Sequence, residues 1–305
     1  LRNQGINKED IGREKFLEHA WEWTHEYGGN IVNQLKKLGI SCDWSRQSFT
    51  LDDNLSHAVE EVFIELYEKG LIYRGNRIIN WCPSCETSIS DAEVEHEESD
   101  GNIWYFKYPF ADRDGGIEIA TTRPETIPGD LAIAVNPEDE RYTDLVGEYV
   151  MIPVMGNKKI PIIADEYVEM DFGSGAVKIT PSHDPNDFEV GARHDLGQNI
   201  IMDGKGYLNE NAGAYAGLER YEARKKIIED FEKLGFYIGK KHHHNAVGHC
   251  ERCHTVIEPL ISKQWFVKMA PLAKPALEEY RKGNLNIVPE RFGKVYENWL
   301  ENIRD

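Results

Sequence analysis

The sequence contains no long hydrophobic run. No stretch of its 305 residues approaches the roughly 18 consecutive apolar residues that a membrane-spanning helix needs. We also find no charged and then apolar leader with a small-residue cleavage site at the start. Both absences argue against a membrane or secreted protein. We expect a cytoplasmic protein that is monomeric and has no membrane partner.

Positive charge is scarce. Lysine and arginine number 35, against 53 aspartates and glutamates, which gives a formal net charge of -18. A protein that coats nucleic acid through bulk electrostatics needs a positive partner for each phosphate, so this balance argues against that class. Local contact with nucleic acid stays open, because lysine pairs such as Lys240 with Lys241 could line a channel, although pairs this short are more often exposed surface.

Several catalytic signatures are also missing. The sequence has neither HExxH nor GxxxxGK[ST], and it has no Ser/His/Asp order typical of a covalent hydrolase. A protein nucleophile and a P-loop are therefore unsupported. The chain opens at Leu1, inside what reads as a helix and its cap, so we treat it as a piece of a longer protein, of a length that suits two or three domains.

Cysteine is rare, but four of the five cysteines form two CxxC pairs: Cys82, Cys85, Cys250 and Cys253. Two such pairs supply the four thiolates of a tetrahedral structural zinc site, which we favour over a redox motif or disulfides. His249 and His254 flank the second pair and could replace a cysteine. Cys42 has no partner cysteine nearby in the sequence, and we expect it to be an ordinary small, partly buried residue.

The spacing of the two pairs predicts an inserted domain. The 164 residues between Cys85 and Cys250 are far too many for a zinc-ribbon loop, and they contain strands and helices of their own. Zinc would fix the two ends of the insertion together. We therefore divide the chain into a mostly helical core segment, a zinc junction in two parts, an inserted domain and a return segment: 1–80, 81–99 with 246–262, 100–245, and 263–305.

The hydrophobic pattern predicts a mainly β insertion between more helical flanks. We expect a helix over residues 8–38 with a break near Gly28 and Gly29, and a second helix from Asp53 to Gly70. The segment EHEESDG reads as an acidic link, and His242 to His244 as an exposed turn rather than a metal site. Further helices are predicted near 187–194, 217–234 and 271–283. Strands are predicted in the segments NIWYFKYPF, GIEIATT, LAIAV, EYVMIPVMG, KKIPIIA, GAVKITP and PLISKQWFVKM.

Two polar clusters follow apolar strands. The stretch FGSGAVKITPSHDPNDF places Lys178, Thr180, Asp184 and Asp187 after Gly173 and Gly175, two glycines that let the backbone approach another group closely. A plain strand followed by a helix, with Asp184 as the N-cap and Pro185 at the first helical position, explains part of this pattern but not all of it. The second cluster, TTRPET, contributes Thr121, Arg123 and Thr126, and a surface turn is its alternative interpretation.

Together these segments resemble the valyl-tRNA synthetase family of class I. The resemblance rests on NWCPSCETSISDAEVE, TTRPETIPGDLAIAVNPEDERY, FGSGAVKITPSHDPNDFEVGARH and IEPLISKQWFVKM, and it covers nearly the whole chain. A TTRP segment with HDxxDF is shared with leucyl and isoleucyl enzymes, whereas HDPNDFEVG and SKQWFV favour the valyl member. It implies an α+β fold, with a barrel-like editing domain and covering helices inserted into the α/β core through a zinc-ribbon-like junction.

The resemblance also implies a function. The family's ATP-binding signatures HIGH and KMSKS are absent, so this piece should not attach valine to tRNA, for which the full-length enzyme uses ATP. It retains the segments that hydrolyse the ester of threonine mischarged onto the 3′ acceptor end of valine tRNA. The alternatives are a noncatalytic module that binds this end, the editing domain of an isoleucyl or leucyl enzyme, and an unrelated zinc hydrolase, which four cysteine ligands disfavour.

The same resemblance assigns residues. Asp187 would hold the α-ammonium of the substrate, while Lys178, Asp184 and Thr126 would read the threonine hydroxyl. Thr121, Arg123 and Phe172 would shape the pocket and approach the terminal adenosine. We group Asp187, Lys178, Arg123 and Thr121 as catalytic, and Phe172, Thr126, Asp184 and Thr180 as substrate-binding. We expect attack by a positioned water, with His183 packing in a turn in preference to acting as a general base.

Overall fold

A computed structural model describes residues 1, 4–156 and 158–305, and its contacts divide the chain into two compact units. The first unit is Leu1–Gly70 and the second is Leu71–Asp305. The division falls inside the predicted 1–80 segment, and the other predicted boundaries stay predictions. Among the described residues, no helix is both long and apolar enough to cross a membrane.

Apart from residues 2 and 3, which the structure does not describe, the first unit contains two α-helices, α1 (Lys8–Lys37) and α2 (Asp53–Glu68). The predicted break near Gly28 and Gly29 is wrong, since α1 runs through both glycines, each of which costs a helix only about 1 kcal/mol relative to alanine. The irregular residue is Gly12, with φ 75° and ψ 169°. The predicted end of α2 is confirmed, because Gly70 adopts a left-handed φ of 67° directly after the helix cap.

The second unit contains ten strands and four longer helices in its described residues. The strands are β1 (Ile72–Cys82), β2 (Thr87–Ile89), β3 (Val94–Pro109), β4 (Gly116–Thr121), β5 (Ala132–Val135), β6 (Tyr149–Ile152), β7 (Lys158–Ala164), β8 (Ala176–Ile179), β9 (Tyr237–Cys250) and β10 (Glu258–Val267). The helices are α3 (Pro185–Arg193), α4 (Arg220–Leu234), α5 (Ala270–Arg281) and α6 (Gly293–Glu301).

The strands form three open sheets, in the orders β10-β1-β2, β4-β3-β9 and β6-β7-β5-β8. All pairings are antiparallel except β5 with β7. The predicted barrel-like closure is wrong, since none of these described sheets closes on itself. Strands β4 and β9 flank β3 and remain edges, and a single bridge between Phe110 and Val150 joins this sheet to the four-stranded one.

The longest pairing is an exposed ribbon of β3 and β9. Strand β3 pairs with β9 from Val94 opposite Cys250 to Phe106 opposite Tyr237. The acidic link and the exposed histidine turn predicted from the sequence are both strand in this ribbon. Backbone hydrogen bonds hold a ribbon whatever the side chains are, so a polar segment without an apolar face can still form one.

The main core lies between the β3–β4 sheet, the four-stranded sheet and α4. The Phe106 ring packs against the Phe231 ring of α4, with 4.5 Å between the ring centroids. Full burial of each such aliphatic or aromatic side chain contributes about 1.5–3 kcal/mol. The core includes Phe106, Tyr108, Ile117, Ile119, Ile133, Val150, Ile152, Ile160, Ile162, Ile227 and Phe231.

The predicted cap of α3 is confirmed. The Asp184 side chain accepts hydrogen bonds from the backbone amides of Asn186 at 2.8 Å and Asp187 at 3.2 Å, and Pro185 opens the helix. Upstream, Gly173 has a left-handed φ of 62°, and a Cβ there would lie 2.9 Å from the Ala120 Cβ. The close approach expected at this glycine is therefore to β4 of the same domain.

Candidate functional site

The two polar clusters meet in one pocket of about 260 Å³. It lies where β4, β8 and the start of α3 come together beside the β3–β9 ribbon. All eight side chains predicted to contact substrate line it: Thr121, Arg123, Thr126, Phe172, Lys178, Thr180, Asp184 and Asp187. Tyr167, His243 and Asn245 also line it and were not predicted. His243 was missed because the sequence assigned His242 to His244 to an exposed turn.

Lys178 points its ammonium group at three oxygen atoms. Only 6% of this residue is exposed. Its Nζ donates to Thr126 Oγ1 at 2.7 Å, Thr180 Oγ1 at 2.5 Å and Asp130 Oδ1 at 3.0 Å. An ammonium has three protons, so its hydrogen-bonding capacity is used. We infer that Lys178 positions the two threonines, and that direct contact with a substrate hydroxyl would require one of these bonds to break.

The two threonine hydroxyls are oriented by their partners. Thr180 Oγ1 donates to Asp130 Oδ1 at 2.6 Å, and Thr126 Oγ1 donates to the Arg123 carbonyl at 3.0 Å. Each oxygen also accepts a hydrogen bond from Lys178, and a hydroxyl has one proton and two lone pairs. Thr126 Oγ1 and Thr180 Oγ1 therefore form an acceptor wall, which can receive a hydrogen bond from a ligand but cannot donate one.

Asp130 organises this wall and was missed in the sequence. It is fully buried, and its second oxygen accepts from the Tyr108 hydroxyl at 2.7 Å. The only sequence signal was an acid placed two residues before the buried strand β5. The carboxylate neutralises the Lys178 ammonium and fixes the direction of the Thr180 proton.

Asp130→Asn is expected to lower the free energy of unfolding by about 3–5 kcal/mol, because it leaves the Lys178 ammonium buried without a counterion. Adding Lys178→Met should restore part of the loss, since it removes the uncompensated charge at similar size. Urea unfolding measures both effects. The control is Asp112→Asn, which removes an exposed partner of Lys159 and should change the stability by no more than about 1 kcal/mol. Equal midpoints for Asp130→Asn and the unmodified chain would contradict the prediction.

Asp187 offers the pocket a carboxylate oxygen. Its Oδ2 accepts from the Thr180 backbone amide at 2.8 Å, and within the described residues its Oδ1 has no hydrogen-bond partner. Burial, together with the neighbouring Asp184, raises the pKa of Asp187 to about 7 against the opposing effect of Lys178. A cation in the pocket would stabilise the ionised form, so the site is suited to an ammonium group.

Arg123 faces both the pocket and an ion-pair network that reaches β10. The network comprises Arg123, Arg220, Arg224, Glu125 and Glu258. Arg123 pairs with Glu258 and with Glu125, which are both buried, and its Nη1 donates to the His183 carbonyl at 2.8 Å. The backbone amide of Arg123 donates to Thr121 Oγ1 at 3.0 Å. Arg123 thus connects the pocket to the strand that follows the second cysteine pair.

His183 is held as a neutral side chain. Its Nε2 accepts from the Ile201 backbone amide at 3.0 Å, which places the proton of the neutral ring on Nδ1. Burial, together with the positive charges of Arg123 and Lys178, lowers the pKa of His183 to about 3. With Nε2 already occupied, the geometry favours the packing role over that of a general base.

Phe172 and the ribbon form the mouth of the pocket. Phe172 is 48% exposed, and its ring centroid lies 5.8 Å from that of His243 in an edge-to-face arrangement. His243 and Asn245 alternate with outward-facing residues along β9, so both project toward the pocket.

The four paired cysteines lie together at the other end of the ribbon. Their sulfurs all lie within 4.8 Å of one another, and Cys82 Sγ is 3.4 Å from Cys253 Sγ, far longer than a disulfide bond. Four sulfurs at about 2.3 Å from a tetrahedral zinc ion are about 3.8 Å apart, so the set fits zinc. Neither flanking histidine belongs to this cluster: His249 Nδ1 contacts the Val247 carbonyl, and His254 lies near Glu95. Zinc itself stays a prediction.

Comparison with known proteins identifies the family. The pattern of the tRNA synthetases class I (I, L, M and V) matches residues 2–305. The valine–tRNA ligase of Carboxydothermus hydrogenoformans is 59% identical over the whole chain, and those of Clostridium tetani and Listeria monocytogenes are 58% and 56% identical. The chain covers 35%, 34% and 34% of these relatives, or about a third of their length. The chain therefore belongs to the class I tRNA synthetases of the isoleucine, leucine, methionine and valine group.

Proposed function

We propose that this chain is the editing region of a valine–tRNA ligase and hydrolyses the ester between threonine and the 3′ end of valine tRNA. The observation that carries the proposal is the combination, in one small pocket, of the acceptor wall with Asp187 Oδ1, which accepts no hydrogen bond from the part of the chain that the structure describes. Threonine presents a donor hydroxyl and an α-ammonium group, which match these two features.

The acceptor wall supports discrimination against valine. Valine carries a methyl group where threonine carries its hydroxyl, so it would cover the lone pairs of Thr126 and Thr180 without pairing with them. Leaving buried polar groups unpaired costs about 1–3 kcal/mol each. An apolar valine site rejects threonine by only about 10²-fold, a known value for this enzyme family, so a second site with the opposite preference is needed.

The ammonium contact supports placement of the ester. A charge-assisted hydrogen bond from the α-ammonium to Asp187 would fix one end of the amino acid, and the acceptor wall would fix its side chain. The ester carbonyl between them is then held in position for attack by water. Holding the reacting groups in the right orientation raises the rate of attack by itself.

Water is the proposed nucleophile. The protons of the Thr126 and Thr180 hydroxyls are committed to other acceptors, and His183 is neutral with its Nε2 occupied. The ribose hydroxyl next to the ester lies close to the same carbonyl in the substrate itself. It can accept a proton from the attacking water and pass its own proton to the departing ester oxygen, so that threonine and the free tRNA end are released.

A second cavity supports a tRNA acceptor end as the partner. It encloses about 450 Å³ and shares Arg123 and Asn245 with the pocket. Trp104, Tyr221 and Arg224 line it and offer aromatic and cationic surfaces on which a nucleotide can stack. The names of the relatives indicate that the full-length protein would attach valine to the same tRNA, and they favour the valyl enzyme over the isoleucyl or leucyl one. The use of ATP for that step is what the family resemblance implies.

The proposal predicts selective deacylation. Threonyl and valyl esters of valine tRNA are supplied separately to the chain, and release of the amino acid is followed with time. We expect rapid loss of threonine and at least about tenfold slower loss of valine, the effect of one unpaired polar group. Equal and negligible loss of both, with the tRNA end bound, would show a binding module instead and contradict the proposal.

A further inference from the structure

Two histidines and an aspartate meet on the outer face of the β3–β9 ribbon. His242 and His244 are two residues apart on β9 and so share a face, and Asp100 on β3 lies directly opposite His244. His244 Nδ1 is 2.7 Å and His242 Nε2 is 3.5 Å from Asp100 Oδ1. The two imidazole centroids are 4.5 Å apart. One ligand atom from each residue lies within 4.8 Å of the others.

The donor set has the chemistry of a zinc ligand group. Imidazole nitrogen and carboxylate oxygen are both zinc ligands, and a site with three protein ligands keeps a position for water. An exposed ion pair explains one histidine beside Asp100, but such a pair contributes only about 0–1 kcal/mol and gives no reason for a second imidazole beside the first. We propose that Asp100, His242 and His244 form a second metal site, which takes zinc.

The position of this site relates it to the pocket. Successive side chains of a strand point to opposite faces, so His243 and Asn245 project to the pocket while His242 and His244 project to the other face of the ribbon. An ion on the outer face would hold β3 to β9 at the segment that forms the pocket mouth. The donors are imidazole and carboxylate, which separates this site chemically from the four-cysteine cluster.

Zinc titration by calorimetry tests the proposal on the whole chain. We expect His242→Ala and His244→Ala each to bind one zinc equivalent fewer than the unmodified chain, or to bind it at least about tenfold more weakly, since even the loss of a residue that only supports a ligand costs about 10–100-fold. This difference in zinc equivalents between the variants and the unmodified chain does not depend on how much zinc the four cysteines already hold. All three side chains are exposed, so the variants should keep the unfolding midpoint of the unmodified chain.

His243→Ala is the matched control, because it removes the intervening imidazole from the opposite face and should leave zinc binding unchanged. The proposal is overturned if both His242→Ala and His244→Ala bind zinc like the unmodified chain. It is also overturned if His243→Ala loses as much, or if His254→Ala alone removes the equivalent, which would place the ion at the cluster of Glu95, Glu97 and His254.

Discussion

Asp187→Asn is expected to lower kcat/KM for deacylation of threonyl-tRNA by roughly 30-fold to several thousand-fold. Truncating one partner of a buried charge pair costs about 2–5 kcal/mol, and every 1.4 kcal/mol is about tenfold. Asparagine keeps the size of Asp187 and can still accept from the Thr180 amide, so the lost element is the charge that faces the substrate ammonium. Release of labelled threonine at several tRNA concentrations measures the effect.

The control for this variant is Glu189→Gln, which removes an exposed carboxylate from the same helix and should leave the rate unchanged. The pH dependence provides a second test. The pKa of Asp187 is raised to about 7, so the free protein carries a neutral Asp187 below that pH and a charged one above it. We therefore expect kcat/KM to rise with pH through about 7, and Asp187→Asn to lack that inflection. Full activity of Asp187→Asn would refute the assignment of this carboxylate.

Cys250→Ser is expected to remove the zinc equivalent held by the four cysteines and to destabilise the strands around them. Cys250 and Cys82 are buried and pack with Ile89, so metal loss leaves a small cluster with little apolar content of its own. Structural zinc binds zinc-finger peptides with about 10–16 kcal/mol at pH 7, which sets the upper bound for the loss. Zinc content by atomic absorption and the free energy of unfolding measure the two effects.

Cys42→Ser is the matched control, because Cys42 lies outside the cluster and is exposed, so the predicted partial burial of this residue is wrong. It should keep both the zinc and the stability. The network from Glu258 through Arg123 to the pocket adds a further expectation, namely that Cys250→Ser also slows deacylation. Binding of as many zinc equivalents by Cys250→Ser as by the unmodified chain would contradict the four-cysteine site.

Local rules predicted much of this fold. Asp184 followed by Pro185 specifies a helix start through one side chain and one fixed backbone angle, and the structure has both. Strict CxxC spacing predicted that four cysteines far apart in sequence would meet, and their sulfurs do so. Such features depend on short segments, which is why the sequence contains enough information to predict them.

Other features depend on distant partners and could not be predicted. The polar ribbon forms through backbone pairing between segments more than 130 residues apart, where the side chains carry no periodic apolar signal. The role of Asp130 appears only when Lys178 and Thr180 are brought to it. Gly28 and Gly29 led to a predicted helix break that the structure does not have, because the neighbouring turns of α1 outweigh the low helix propensity of the two glycines.

The pairing of β1 with β10 has a consequence for how this region can be transferred between proteins. Ile72 lies opposite Val267, so residues 72–267 begin and end at adjacent positions of one sheet. A segment with neighbouring ends can be spliced into a surface turn of another protein without stretching either chain, and deleting it leaves a gap that a short linker closes. Residues 72–267 are therefore a natural cassette for grafting the proposed ester-hydrolysing selectivity onto a different tRNA-binding scaffold.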